Sequence, residues 1–253
     1  MIRRLAHALP PAVRRRASHL RARAANPRVA LSRRTTPVSR VYGFDRGTPI
    51  DRHYIADFLS RHSAAPGYAA GDVRGVVMEV GGDEYATRFG GNAVRRLDVL
   101  HVSPDNPRAT IVGDLATGDN LPAETYDCVI CTQTLQAIYD VGAAIATLHR
   151  MLRPGGVVLA TVPGITPACR PDRDLWGDYW RFTGESVRRL FAESFGPSRV
   201  RVEAYGNVLA ATSFLYGVAA EELRPGRLDA RDPDYEVLIA VRAQKAALGA
   251  ADR

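Results

Sequence analysis

A chain of 253 residues with 46% hydrophobic content can fill one sizeable core, and no run approaches the roughly 20 apolar residues that span a bilayer. Three cysteines, Cys128, Cys131 and Cys169, are too few for a disulfide scaffold, and the first residues lack the apolar stretch of a secretory signal, so a reducing cytoplasm is the expected setting. The net charge of +7 is uneven: residues 1–40 hold eleven arginines and no acid, and subtracting them leaves residues 41–253 at −4.

Residues 1–40 carry Pro10, Pro11, Pro27 and Pro37 with little sustained periodicity, and read as a weakly ordered basic arm. The arm is either a solvated tail, a face packed on the domain, or an electrostatic contact for nucleic acid or anionic lipid. Residues 41–245 read as one domain, followed by a short tail, 246–253. Ile50, Tyr54, Ile55, Phe58 and Leu59 recur at helical spacing and stop before Pro66-Gly67. Strands are then expected at 75–80, 94–102, 109–112, 126–132 and 157–162. Between the last two lies an amphipathic helix, 141–152, stopped by Pro154-Gly155-Gly156. A helix at 183–195, a strand at 200–204, a helix at 208–222 and a strand at 235–241 complete the pattern. Alternation of this kind means a doubly wound α/β sheet with helices on both faces, and its ligands sit beyond the carboxyl ends of the strands.

The residues just after the strands therefore matter most. "VVMEVGG" (76–82) supplies Glu79, Gly81 and Gly82. Asp114 and Leu115 follow the third strand, and Gln133 follows the fourth. After the fifth comes the polar-aromatic stretch "PACRPDRDLWGDYWRFT". Cys128-x-x-Cys131 lies within an apolar strand, where residues three apart point to opposite faces, so core packing is expected there rather than metal or redox chemistry.

"VVMEVGG", "VGDLATGDNLPAETYDCVICTQTLQAIYD", "LHRMLRPGGVVLATVPG" and "DYWRFT" resemble, in order and spacing, class I S-adenosylmethionine-dependent methyltransferases. The lead-in "VYGFDRGTPIDRHYIADFL" is similar to a branch of that superfamily found in bacterial natural-product and glycan biosynthesis. The resemblance spans roughly residues 42–242. It implies a Rossmann-like, doubly wound, mostly parallel seven-stranded sheet, S-adenosyl-L-methionine as cofactor, and a small-molecule acceptor methylated at oxygen. No specific nucleic acid and no metal are implied. Two other readings stand beside it: a domain of the same fold that binds the cofactor poorly and serves as an accessory protein, and an RNA methyltransferase using the basic arm. The acidic body and "CTQTL" after the fourth strand, where many base amino methylases carry an Asn/Asp-Pro-Pro-Tyr-type tetrapeptide, speak against the latter.

Carried onto this chain, the resemblance implies one glycine turn, Gly81-Gly82, admitting the methionine tail. Glu79 either orients that turn or meets the ammonium group. Asp114 would accept from the adenine amine, with Leu115 packed on the ring. For the ribose, Asp98, His101, Ser103 and Asp105 are candidates, and Ser103 takes the expected place if the second strand ends at Val102. Gln133 and Thr134 line the cofactor, face the acceptor, or pack behind it. Trp176, Tyr179, Trp180 and Arg181 form an acceptor wall with Asp178 as the candidate base, unless Asp178 pairs with Arg181 and Trp180 is core. Arg46, Asp51, Arg52 and Tyr54 form a lid or second wall, unless they are helix-surface charges.

Overall fold

The computed structural model describes residues 35–65, 67 and 71–249. Contacts divide the chain into units 1–37 and 38–253. Of the first unit only 35–37 are described, without regular structure, and the expectations for the rest of the basic arm lie outside the described residues.

Unit 38–253 is built on one seven-stranded sheet. Its strands are β1 (Gly75–Val80), β2 (Val94–His101), β3 (Ile111–Val112), β4 (Tyr126–Thr132), β5 (Leu152–Pro163), β6 (Val200–Tyr205) and β7 (Leu238–Gln244), in the order β3-β2-β1-β4-β5-β7-β6. Strands β1 to β5 run parallel, and β7 lies antiparallel between β5 and β6. This is the mostly parallel, doubly wound sheet expected from the sequence.

Strands covered on both faces must be apolar on both faces. Side chains therefore alternate between two cores. Met78, Val129, Cys131, Val158 and Ala160 point into one. There they meet α3 (Val141–Met151) and α5 (Gly184–Phe195) through Leu148, Phe191 and Phe195. Val77, Cys128, Ile130 and Leu159 point into the other. They meet α1 (Ile50–Arg61), α2 (Glu84–Gly90) and α6 (Val208–Tyr216) through Phe58, Phe89 and Phe214. Cys128 and Cys131 thus fall in opposite cores, and burial pushes both thiols up, that of Cys131 to about 12. Among the described residues no helix is long and apolar enough to cross a membrane.

Three helices, α3, α5 and α6, start where short polar side chains cap them. Asp140 accepts the Ala143 N–H at 2.9 Å, Asn207 accepts that of Ala210 at 3.0 Å, and Thr183 with Ser186 forms a capping box. Some boundaries differ from expectation. The helix expected to run to Glu222 ends at Gly217, whose φ of +72° makes a left-handed cap. Strand β5 begins at Leu152, directly after α3, so Pro154-Gly155-Gly156 lies within a strand rather than in a separating turn. A six-residue helix, α4 (Arg170–Leu175), stands where only a loop was expected.

Candidate functional site

The chain winds outward from β1 to β3 and then crosses back to β4, so the carboxyl ends of β1 and β4 diverge and open a crevice. A cleft of about 670 Å³ lies there. Gly81, Ser103, Asp114, Leu115, Gln133, Trp176 and Tyr179, all singled out from the sequence, line it together.

The turn after β1 is shaped for room. Gly81 has φ +91°, its N–H donates to the Leu100 carbonyl at 2.9 Å, and a Cβ placed on it would meet nothing within 4 Å. The position is open toward the cleft. Gly82 does not line the cleft, and a Cβ there would run into the Glu84 carboxylate. Glu79 does not line it either. The side chain is buried and accepts the N–H groups of Ala86 at 2.7 Å and Tyr85 at 3.2 Å, stitching β1 to the first turn of α2. Of its two expected roles, orienting the turn is the one this geometry serves. Burial pushes its carboxyl up to about 7, against the opposing pull of the two backbone N–H groups.

That shift has a sign. A carboxyl whose folded value is raised favours folding when protonated. Its contribution is complete below the unfolded value near 4.3 and is lost as pH rises through about 7. Glu79→Gln, which cannot ionise, should flatten a loss of about 2–4 kcal/mol of stability across that window. Denaturant titrations at pH 4.5 and 7.5 measure it; equal pH dependence in both proteins rules this out.

Strand β2 ends at His101, one residue earlier than expected. His101 lines the cleft, and the edge of one ring meets the face of the other where it packs on Trp176, at 5.2 Å and 89°. Ser103 also lines it, with its hydroxyl donating to Asp105 at 2.6 Å. Asp98 sits inside the sheet beside the Tyr126 hydroxyl and Arg96. Of the ribose candidates, His101 and Ser103 therefore reach the cleft. Asp114 takes the Ala116 N–H at 2.8 Å, so the same carboxylate turns the loop and lines the cleft.

Gln133, the first residue after β4, has φ +48°, a region side chains avoid, and its N–H is held by the Thr161 carbonyl at 2.9 Å. A 3₁₀ turn, Leu135–Ala137, follows and brings Gln136 and Tyr139 to the same wall. The Gln136 carbonyl accepts the N–H groups of Tyr179 at 2.8 Å and Trp180 at 3.3 Å, tying the aromatic segment across the cleft.

That segment is clamped at its base. Arg181 grips Asp178 with both terminal nitrogens, at 2.6 and 2.9 Å, and donates to the Pro167 carbonyl at 2.8 Å. Asp178 also accepts the Cys169 N–H at 2.9 Å. The Asp178 side chain is only 4% exposed and does not line the cleft, and Arg181 holds its carboxyl below the ordinary range. Of the alternatives for Asp178, this is the Arg181 pair. A carboxylate so engaged is a poor proton acceptor. Trp180 is half-exposed rather than core, donates to the Ile138 and Tyr139 carbonyls, and with Arg181 lies off the cleft.

Arg46 pairs with Glu222 on the surface, and Tyr54 is buried against Tyr205 at 5.3 Å. Neither lines the cleft, whereas Arg52, two residues from Tyr54 on α1, does. Helical spacing placed the group but did not distinguish its core face from its cleft face. Gln136 and Tyr139 also line the cleft and were not expected at the site, and Asp172 and Leu175 line it from within the stretch after β5 without having been singled out. Their signal lay in following a strand end: Gln136 and Tyr139 come after β4, and Asp172 and Leu175 lie in the segment that follows β5.

The methyltransferase domain family matches residues 50–196, more than half of the chain. No curated protein sequence matches it. Among solved structures, the N-methyltransferase NodS from Bradyrhizobium japonicum in complex with S-adenosyl-L-homocysteine is 17% identical, with a TM-score of 0.47 over 78% of this chain and 88% of NodS. An S-adenosylmethionine-dependent methyltransferase from Mesorhizobium loti is 15% identical, with a TM-score of 0.47 over 78% and 98%. A putative methyltransferase solved with the Haloferax volcanii Trm112 activator is 16% identical, with a TM-score of 0.48 over 78% and 91%.

Proposed function

The chain belongs to the methyltransferase domain family and is an S-adenosyl-L-methionine-dependent methyltransferase, and from that premise we propose that the cleft at the ends of β1 and β4 joins the cofactor to a small acceptor methylated at oxygen. The observation that carries this is Gly81, where the backbone turns with φ +91° and leaves open space on the cleft side.

When bound, S-adenosyl-L-methionine supplies an electrophilic methyl group on a sulfonium. The lining residues suit the rest of such a ligand. Gly81 leaves room for a narrow tail. The Asp114 carboxylate suits an exocyclic amine, Leu115 offers an apolar face, and His101 and Ser103 offer polar atoms for hydroxyl groups. Trp176, Tyr179 and Tyr139 supply walls for an organic ring. With Asp178 locked to Arg181, catalysis in this reading rests mainly on holding the acceptor in line, and the hydroxyl proton leaves to solvent. The aromatic walls support a natural-product or glycan acceptor. The three free thiols support a cytoplasmic setting.

Calorimetry of the full chain with S-adenosyl-L-methionine and S-adenosyl-L-homocysteine tests the reading, and absence of binding for both would refute it. Asp114→Ala should weaken either ligand by about 5- to 150-fold, the equivalent of 1–3 kcal/mol for a buried donor left unpaired. A melting scan accompanies it, because Asp114 also turns its own loop. Unchanged affinity in a folded variant removes Asp114 from the site. A second reading, an accessory protein that holds the cofactor weakly, draws on the ribose candidates, of which His101 and Ser103 reach the cleft and the carboxylates Asp98 and Asp105 do not. Millimolar affinity for both ligands would favour it.

A further inference from the structure

Two polar atoms of cleft-lining side chains are enclosed without a protein partner: Gln133 Nε2 and Gln136 Oε1. They belong to one knot. The Gln133 N–H donates to the Thr161 carbonyl at 2.9 Å, and Gln136 Nε2 donates to the Gln133 carbonyl at 2.8 Å. That second bond fixes the Gln136 amide with its oxygen left over. Gln133 and Gln136 both line the cleft, and Gln136 is only 9% exposed. Enclosed polar groups are ordinarily paired, and each one left over costs about 1–3 kcal/mol. Two together just beyond β4, beside a backbone strained at Gln133, are not explained by the fold. The aromatic segment above them hangs from the Gln136 carbonyl through Tyr179 and Trp180, so movement of that segment would uncover them.

We propose that Gln133 and Gln136 form the polar subsite that selects the acceptor, and that it takes an uncharged group able both to donate and to accept, a hydroxyl or a primary amide. The proposal rests on the methyltransferase reading above. The chemistry follows from the two atoms. Gln133 Nε2 only donates, and Gln136 Oε1 only accepts. A carboxylate has nothing to give Gln136 and would set its charge against that oxygen. An ammonium has nothing to accept from Gln133. Neither glutamine carries a charge to repay desolvation of an ion. A hydroxyl or amide satisfies both sides, with its ring against Tyr139 and Tyr179, which stand edge to face at 5.5 Å.

The test uses full-length protein and four probes on one ring: benzyl alcohol, benzamide, benzoate and benzylamine. S-adenosyl-L-homocysteine is added first; if it does not bind, the methyltransferase reading fails and this proposal with it. On the saturated protein, ligand-observed NMR titrations should rank the alcohol and the amide at least about fivefold tighter than either ion, since an ion leaves site groups unpaired. Gln133→Met and Gln133→Leu should close that gap, while their melting temperatures stay level or rise because an unpaired polar atom has been removed. Four outcomes overturn the proposal while leaving the cofactor reading standing. The ions bind as well as the neutral probes; no probe binds; the variants keep the wild-type ranking; or both variants melt several degrees lower, which would make these atoms structural. A crystal structure in which one water satisfies both atoms and stays when benzyl alcohol binds overturns it as well.

Discussion

Replacing Gly81 by valine should abolish cofactor binding while the sheet still folds. Two effects add, and they are read separately. The first is backbone strain: at φ +91° a β-branched residue costs on the order of 1–3 kcal/mol, and this appears as a lower melting temperature. The second is volume. Because a Cβ at Gly81 meets nothing within 4 Å, the valine methyl groups project into the cleft rather than into protein. A ligand tail must then shift or leave, and we expect at least about a 100-fold loss of affinity for S-adenosyl-L-homocysteine, near 2.7 kcal/mol. Gly81→Ala should show most of the strain and less of the blockage. Calorimetry at a temperature well below the variant's melting point separates the two. Affinity within twofold of wild type for folded Gly81→Val would place the cofactor elsewhere.

The second large effect is expected at the clamp. Arg181→Met removes both guanidinium contacts to Asp178 and leaves a 4%-exposed carboxylate with the Cys169 N–H as its remaining hydrogen bond. Breaking a fully buried pair costs about 3–5 kcal/mol, but Arg181 is 30% exposed and water can replace part of it, so about 1–3 kcal/mol is expected. The pH dependence has a definite direction. Arg181 lowers the folded value of Asp178, so the pair's contribution is present above the unfolded value near 3.9 and fades as pH falls through the lowered one. In Arg181→Met that acid loss should shrink. Asp178→Asn then separates two roles. A general base predicts a rate loss of about 10²–10⁴ with an unchanged melting temperature. A clamp predicts a lower melting temperature and faster hydrogen exchange around residues 169–178, with a smaller rate loss. A large rate loss without destabilisation would return Asp178 to the chemistry.

Strands β1 and β4 were legible to the residue, because "GVVMEV" and "YDCVICT" are apolar runs bounded by turn residues or charge, and a strand buried on both faces allows little else. The last strand was placed three residues early. Tyr235 and Val237 continue the apolar pattern, yet their backbone is spent closing a turn on Asp232 and a bond to Tyr205 before pairing with β5 begins at Leu238. The positions after the strands pointed to Gly81, Asp114, Leu115 and Gln133, since the topology of the sheet makes those sites converge. What could not be read was orientation. Tyr54 and Arg52 lie two residues apart on α1, and only packing against Tyr205 decides that the first is core and the second faces the cleft. Asp178 and Arg181, three apart in sequence, formed both a plausible catalytic pair and a plausible brace. The folded chain adds the Cys169 N–H and the Pro167 carbonyl, which make a brace.

The position of β7 also governs the order in which the chain can be completed. Leu238–Gln244 pairs with β5 on one side and with β6 on the other. Until it is made, β5 has a bare edge and β6 has no place in the sheet. A ribosome working at about 5–20 residues per second needs roughly 4–15 s to pass from Pro163 to Leu238. Throughout that interval an apolar strand edge is offered to any other nascent chain. Dependence on chaperones should therefore be concentrated late in synthesis, and a premature stop anywhere before Gln244 should yield insoluble product rather than a smaller working domain.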